Sequence, residues 1–207
     1  AVAQKYDCTA VAYTYTEPLV YYEYTLDCCK AAKQAGLDNV LVTAGYINRK
    51  PLQQLCRVVD AANIDLKAYS DKFYRDICDA TLKPVLNTLV TSKAAGVLVE
   101  VTHLIIPTLN DRDDELRALC RWIKENLGAD TPLHFSRFYP QYQLRNLPPT
   151  PKKTLVRARE IARAEGLKFV YIGNILVENA GSTSCPKCGK LLVDRQGYRI
   201  RRNLLQE

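Results

Sequence analysis

Residues 84–106 of the chain are PVLNTLVTSKAAGVLVEVTHLII, and this stretch decides the fold class. Its first part has the apolar spacing of a helix, and Gly96 follows where a helix would end. Its second part, Val97–Ile106, is nearly continuously apolar, as in a strand covered by helices on both faces. The stretch therefore predicts a helix followed directly by a buried strand.

The same alternation recurs along most of the chain. We predict strands at Thr9–Thr16, Asn39–Ala44, Ala61–Lys67, Val97–Ile106, Leu133–Phe138 and Lys168–Ile172. We predict helices between them at Pro18–Ala35, Pro51–Val59, Pro84–Ala95, Asp113–Leu127 and Pro151–Glu165. Repeated βα units predict an α/β fold with a parallel sheet, which forms either an open doubly wound sheet or a complete or partial barrel.

Composition excludes several classes of protein. Of 207 residues, 47% are hydrophobic and 25% are charged, and no apolar run is long enough for a membrane span, so we expect a folded chain with no membrane partner. Of the net charge of +7, +4 lies after Ser184, which argues against a broad nucleic-acid-binding face. Eight dispersed Cys predict a reducing cytoplasm. The chain has no Met and begins at Ala1, so we expect a segment of a longer protein.

Polar residues at the carboxyl ends of the predicted strands are the candidates for chemistry, because such folds bind ligands there. They include Glu17, Asp65, Lys67, His134 and Arg137. Asp65 and Lys67 are two residues apart in a strand and must share a face. They form either a structural salt bridge or a site for a zwitterion such as an amino acid.

Common catalytic signatures are missing from the sequence. It contains no Gly-x-Gly-x-x-Gly, no P-loop and no Gly-x-Ser-x-Gly. Its two His, His103 and His134, do not form a His-x-x-x-His pair, so a His-based metal site is not expected. The aromatic residues Tyr21, Tyr22 and Tyr24 are expected to pack into the core.

A Cys-x-x-Cys motif follows the last predicted strand. Cys185-Pro-Lys-Cys188-Gly has the form of one zinc-ribbon knuckle, although a single motif is also compatible with redox chemistry or with no metal. The hairpin-like segment after it favours the ribbon. Zinc needs four ligands, so we expect Cys185 and Cys188 to be half of a site, with the other half after Glu207.

Seven motifs occur in one order along nearly the whole chain: AYTYTEPLVYYEY, LVTAGYI, AANIDLKAYSDKFYRDI, VEVTHLIIPTLND, PLHFSRFYP, LPPTP and KFVYIGN. In this order they resemble the radical S-adenosylmethionine (SAM) enzyme of the AmmeMemoRadiSam system. That group is related to the activating enzymes of the pyruvate formate-lyase type. The resemblance implies a partial (β/α) barrel over residues 1–178 that lacks its first βα unit, and an incomplete zinc-ribbon-like tail over 179–207.

The resemblance also implies a function. Such an enzyme binds SAM beside a 4Fe-4S cluster and generates a 5′-deoxyadenosyl radical, which abstracts hydrogen from a substrate. The substrate is unknown; a protein is one option. Glu17 matches the carboxylate that receives the methionyl ammonium of SAM, and Asp65 and Lys67 match an Asp-x-Lys near the SAM carboxylate. His134 matches a residue beside the SAM ribose, and Arg137 follows it with an alternative role in substrate binding.

The sequence departs from the family pattern at the cluster. It has no Cys-x-x-x-Cys-x-x-Cys, so we assign no cluster ligand in this chain and expect the ligands upstream of Ala1. The chain alone is then expected to be inactive. Ala44 stands where the family commonly has Asn, and Thr108 where Gly is common.

Three alternatives remain open. The chain is a cluster-free relative that binds SAM without radical chemistry, or an activating enzyme proper for a glycyl-radical enzyme. The third alternative is a (β/α) barrel lyase that uses Lys67 as a Schiff-base amine.

Overall fold

The computed structural model describes residues 2–197 and 199–205. The strands are β1 (Ala10–Tyr13), β2 (Asp38–Thr43), β3 (Ala61–Asp65), β4 (Leu98–Ile105), β5 (Leu133–Arg137), β6 (Val170–Gly173), β7 (Thr183–Ser184), β8 (Leu191–Gln196) and β9 (Arg199–Asn203). The helices are α1 (Val2–Lys5), α2 (Tyr22–Gln34), α3 (Arg49–Leu55), α4 (Asp71–Cys78), α5 (Leu82–Ala94), α6 (Asp113–Asn126) and α7 (Lys152–Ala164), with a short 3₁₀ turn at Tyr142–Leu144.

The first six strands form one sheet in the order β1-β2-β3-β4-β5-β6. The pairs β1–β2, β2–β3 and β5–β6 are parallel, with Val11 opposite Asn39, Leu41 opposite Ala62, and His134 opposite Tyr171. Sequence order equals spatial order, as in a barrel-type sheet, whereas a doubly wound sheet reverses direction at a switch point. The predicted α/β fold with a parallel sheet is therefore confirmed.

Two of the predicted helix ends show why the sequence stops a helix there. At Gly36 the backbone has φ of +74°, and at Gly96 it has φ of +86°. The N–H of Gly36 bonds to the carbonyl of Lys33 and that of Leu37 to Ala32, which is the Schellman pattern of a helix end. Only glycine adopts this conformation without a steric penalty, so each glycine turns the chain into the next strand.

The chain divides into two compact units. Unit 1 runs to Leu66 and includes Tyr74–Val101. It contains β1–β3, the first half of β4, and helices α2, α3 and α5. Leu55, Ile64 and Leu89 form its core and are at most 1% exposed.

Unit 2 comprises Lys67–Phe73 and the chain from Thr102 onward. It contains the second half of β4, strands β5 and β6, helices α6 and α7, and the antiparallel sheet β7-β8-β9. Its core is built on Leu119, Phe135 and Leu155, none of which is exposed.

The LPPTP motif has a structural role in unit 2. The Thr150 hydroxyl is buried and donates to the carbonyl of Ile105 at 2.5 Å, while it accepts the N–H of Phe138 at 2.9 Å. One threonine thereby joins the end of β4 to the end of β5. This link fixes the end of β5, where Arg137 is the last strand residue.

Some elements differ from the prediction. Helix α4 was not predicted, although Ser70 supplies a start signal by accepting the N–H of Phe73 at 3.2 Å. Helix α2 begins at Tyr22 rather than Pro18, because residues 18–21 form a turn. No helix in the described parts of the chain is long and apolar enough to cross a membrane. The division at residue 178 stays a prediction.

Candidate functional site

Four of the predicted site residues lie at or after the carboxyl ends of strands: Glu17 follows β1, Asp65 ends β3, Lys67 follows it, and Arg137 ends β5. The fifth, His134, was also predicted at a strand end, but it is the second residue of β5. Glu17 and Asp65 belong to unit 1, whereas Lys67, His134 and Arg137 belong to unit 2. Each unit therefore presents its own set of polar side chains, and each set has its own geometry.

Glu17 is held by three hydrogen bonds in unit 1. Its Oε1 accepts the hydroxyl of Thr43 at 2.6 Å and the N–H of Leu19 at 3.2 Å, and its Oε2 accepts the N–H of Ala44 at 2.7 Å. A carboxylate offers about four acceptor positions. Three are taken by the protein, so the group is fixed in orientation and keeps capacity for one more donor.

Thr43 and the turn after it explain this geometry. The Thr43 hydroxyl donates to Glu17 and accepts the N–H of Gly45 at 3.0 Å, so one side chain ties the carboxylate to the turn. Gly45 has φ of +68°, and a Cβ there would come within 2.7 Å of Ile64 Cγ2. Ala44 contributes its backbone N–H, which explains why alanine serves where the family commonly has Asn. The sequence placed Thr43 at a strand end but assigned it no role.

The aromatic residues near Glu17 do not all pack into the core. Tyr21 is 44% exposed and Tyr24 is 71% exposed, so the expectation that they are buried is wrong. The Tyr21 hydroxyl instead lies 2.7 Å from the Thr16 hydroxyl. This hydrogen bond with Thr16 lowers the pKa of Tyr21. Tyr21 precedes α2, and Tyr24 lies at an exposed position of that helix.

The end of β3 shows the alternation that the Asp-x-Lys spacing predicts. Ile64 and Leu66 are buried, and Asp65 and Lys67 are half-buried. In unit 2, buried Asn110 holds the Lys67 main chain by donating from Nδ2 to its carbonyl at 2.7 Å. Asp65 and Lys67 stay predicted site residues.

His134 and Ser136 lie on one face of β5, and buried Leu133 and Phe135 lie on the other. The His134 ring stacks on Tyr171, with ring centroids 5.1 Å apart and planes 26° from parallel. An imidazole on a half-buried strand face is positioned to contact a ligand as well as the neighbouring ring. Its assignment to the SAM ribose stays a prediction.

Arg137 belongs to a network where β5 and β6 end. Its Nη1 donates to the Tyr139 hydroxyl at 3.3 Å, and its guanidinium carbon lies 4.8 Å from the centre of the Tyr139 ring. The Tyr139 hydroxyl donates to the Asn174 carbonyl at 3.0 Å, and Asn174 Nδ2 donates to the Ser136 hydroxyl at 2.8 Å. Within residues 2–197 and 199–205, the buried Nε of Arg137 has no hydrogen-bond partner. This network holds the guanidinium where β5 ends.

The Cys185–Cys188 segment forms a tight turn. The N–H of Cys185 donates to the Lys190 carbonyl, and the N–H of Gly189 donates to the Cys185 carbonyl, both at 2.8 Å. The pKa of the Cys185 thiol is lowered by the backbone N–H of Cys188 and then by that of Lys187. Amides that point at the sulfur favour a thiolate, the form that binds metals. The half zinc site stays a prediction.

Comparison with models of protein families shows the family to which the chain belongs. The model of the Radical SAM superfamily matches residues 1–123. The chain belongs to the radical SAM superfamily. This radical SAM chain is 50% identical over 194 residues to an uncharacterized protein of Methanocaldococcus jannaschii, which covers 94% of the chain and 57% of that protein. It is 28% identical over 114 residues to the pyruvate formate-lyase-activating enzyme of Clostridium pasteurianum, which covers 55% and 48%. It thus spans about half the length of these curated relatives.

Solved structures agree with the radical SAM fold. A domain of the pyruvate-formate lyase-activating enzyme from Bacteroides vulgatus superposes with a TM-score of 0.68 at 17% identity, covering 80% of this chain and 99% of that one. A radical SAM methyltransferase from Sphaerobacter thermophilus gives a TM-score of 0.66 at 16% identity, covering 92% and 57%. At these identities the likeness concerns the fold alone.

The radical SAM family implies SAM and a 4Fe-4S cluster. The residues of this chain suit one of these two groups and not the other. The Glu17 carboxylate has an acceptor position that suits the SAM ammonium. For the cluster, the sequence lacks Cys-x-x-x-Cys-x-x-Cys. The described residues also contain no group of three or more His, Cys, Asp or Glu placed to hold a metal ion. The residues present therefore fit SAM and do not fit the cluster.

Proposed function

We propose that the whole protein is a radical SAM enzyme of the AmmeMemoRadiSam group, and that this chain supplies its SAM-binding site. The observation that carries the proposal is the Glu17 carboxylate, which is fixed by Thr43, Leu19 and Ala44 and keeps one acceptor position. An ammonium donor placed there forms a charge-assisted hydrogen bond, which is stronger than a neutral one. The resemblance along nearly the whole chain and the similarity to activating enzymes support it.

Each predicted residue has a role in this proposal. Glu17 binds the methionyl ammonium, and Asp65 with Lys67 faces the SAM carboxylate and the target. His134 contacts the ribose. Arg137, at the end of β5, binds the substrate. The protein orients these groups and excludes water. SAM held there would supply a 5′-deoxyadenosyl radical for hydrogen abstraction and release methionine once a cluster held elsewhere in the whole protein donated one electron.

The substrate class rests on analogy. The similar enzymes are a pyruvate formate-lyase-activating enzyme and a benzylsuccinate synthase activating enzyme, whose names state that they act on another enzyme. We propose a protein substrate on this basis, and a cytoplasmic location on the dispersed cysteines. Fold alone does not name a substrate, because one fold hosts many functions.

Calorimetry with SAM on this chain tests the proposal. Glu17→Gln removes the negative charge and keeps the shape, so we expect SAM affinity to fall about tenfold or more. Glu23→Gln is the matched control, since Glu23 is an exposed residue of α2 that contacts no predicted ligand. Equal affinity in wild type and Glu17→Gln would contradict the proposal.

A second candidate function is a cluster-free SAM-binding protein. It is favoured by one observation, namely that Glu17 and its donors are complete in a chain whose described residues do not fit a cluster. The full-length protein reconstituted with iron and sulfide distinguishes the two. Cluster absorbance and SAM cleavage under dithionite support the enzyme, and SAM binding without either supports the cluster-free protein.

A further inference from the structure

Unit 2 contains a cavity of about 960 Å³ that the proposed function does not use. Its lining comes from the segment Asn174–Asn179, here called the strap, and from the hairpin of β8 and β9, together with Tyr139 and the end of β6. Cavities that bind small organic molecules measure about 300–1,000 Å³. The size is therefore that of a ligand site.

The strap is anchored at both ends. At its start, the Asn174 carbonyl accepts the Tyr139 hydroxyl at 3.0 Å. At its end, the Asn179 carbonyl accepts Nη2 of Arg159 at 3.2 Å, and the next residue, Ala180, accepts the N–H of Ile172 at 3.1 Å. A segment fixed at both ends is already in place before a ligand arrives, so less ordering entropy is lost on binding.

The strap presents an apolar surface to the cavity. Ile175, Leu176 and Val177 are consecutive lining residues, and Ile172 lines it from β6. Leu176 is 69% exposed, although a leucine of a folded protein gains free energy when it is covered. Three adjacent apolar residues around a cavity indicate an occupant with an apolar body.

The hairpin brings two arginines to the cavity. Arg195 and Arg201 line it, and Glu178 is the acidic residue of the lining. Arg201 is paired with Asp194 at 3.2 Å. Arg195 donates from Nη1 to the Thr183 hydroxyl at 2.7 Å and forms no ion pair with any residue that the structure describes. A held guanidinium without a carboxylate partner is suited to bind an anion.

We propose that this cavity binds a carboxylate-bearing organic molecule with an apolar body. The carboxylate meets Arg195, and the apolar body lies against Leu176 and Val177. Every residue that carries the inference belongs to unit 2, and none of them is assigned to SAM. The inference therefore stands independently of the proposed function.

The experiment titrates the chain with 4-phenylbutyrate and follows binding by calorimetry. The neutral isostere 4-phenylbutyramide is expected to bind at least about fivefold more weakly, because it lacks the charge that Arg195 attracts. Arg195→Gln should weaken 4-phenylbutyrate binding by a similar factor and leave the amide unaffected. Leu176→Gln should weaken both probes about threefold, since it removes apolar contact from an exposed position.

Control variants separate binding from folding and from the SAM site. Arg195→Lys keeps the charge and should restore much of the affinity, whereas Arg112→Gln removes an exposed arginine outside the cavity and should bind like wild type. Glu17→Gln should also bind 4-phenylbutyrate like wild type. The inference is overturned if 4-phenylbutyrate does not bind at millimolar concentration, if the amide binds equally well, or if Arg195→Gln has no effect.

Discussion

The two ends of strand β2 carry polar clusters of opposite design. The amino-end cluster is built on Asn39 with Tyr13, Lys33 and Asp60. Asn39 is fully buried; its Nδ2 donates to the carbonyls of Cys29 and Val58 at 2.9 and 2.7 Å, and its Oδ1 accepts the Tyr13 hydroxyl at 2.9 Å. Every polar group of this side chain is used by the protein.

The carboxyl-end cluster is built on Glu17 with Thr43, Ala44 and Gly45. The Glu17 side chain also accepts several hydrogen bonds, but it is a half-buried carboxylate that keeps one acceptor position. A buried amide with all of its groups paired stabilises the fold, whereas a fixed and unsaturated carboxylate is ready for a cation. The difference teaches that saturation, rather than the number of hydrogen bonds, separates a structural cluster from a binding one.

The largest expected effect is at the amino-end cluster. Asn39→Ala leaves the carbonyls of Cys29 and Val58 and the Tyr13 hydroxyl without their partner, so we expect the free energy of unfolding to fall by about 3 kcal/mol. Urea unfolding followed by circular dichroism measures it. Asn87→Ala, at an exposed position of α5, is the matched control, with a change of less than about 0.5 kcal/mol. A loss below about 1 kcal/mol at Asn39 would contradict the structural role.

The next effect is at the carboxyl-end cluster and concerns binding. Thr43→Val keeps the shape but removes the hydroxyl that holds Glu17, so we expect SAM affinity to fall about three- to tenfold. Thr43→Ser should restore it. The prediction rests on the proposed SAM site, and calorimetry checks it. If Thr43→Val binds SAM as well as wild type does, the backbone donors alone orient the carboxylate.

The smallest effect is a pH dependence at the amino-end cluster. Burial alone would raise the pKa of Asp60, but the Lys33 ammonium and the N–H of Asn39 outweigh it and hold that pKa below its ordinary value. A carboxyl whose pKa is lowered on folding stabilises the protein above its unfolded pKa, about 3.9, and loses that contribution as the pH falls through its folded pKa.

Asp60→Asn should therefore lower the melting temperature near neutral pH, and the gap to wild type should narrow below about pH 4. Melting curves of both proteins at several pH values between neutral pH and about pH 3 measure this difference in melting temperature. Asp27→Asn is the control, because Asp27 is 75% exposed in its ion pair with Lys30 and should give a smaller gap. A gap that does not change with pH would argue against the ion pair as its source.

The sequence predicted the sheet well because its signals are local. Apolar runs and the glycines that end helices, such as Gly36 and Gly96, identified all six strands of the parallel sheet. Helix α4 was not predicted because it is only eight residues long and begins soon after β3 ends. Its start signal at Ser70 was present in the sequence and was not used.

The candidate site was predictable in residue type and not in geometry. Glu17 and the Asp65–Lys67 pair follow from position and resemblance, but the hydrogen bond from Thr43 to Glu17 joins two residues that are 26 positions apart in sequence. The φ of +70° at Thr108 is likewise invisible in the sequence. It gives a physical reason why glycine is common at that position, since a β-branched residue is strained there.

The turn after β2 also determines which substitutions the protein tolerates at residues 44 and 45. At Ala44 the backbone N–H, and not the side chain, binds Glu17. In a saturation library nearly every residue except proline should therefore be tolerated there. At Gly45 a Cβ would meet Ile64 Cγ2 at 2.7 Å, so the neighbouring position should accept almost nothing. Adjacent positions would thus differ sharply in tolerance. Residue 44 can therefore change in evolution while its N–H still binds Glu17, whereas residue 45 is held as glycine by the close approach of Ile64.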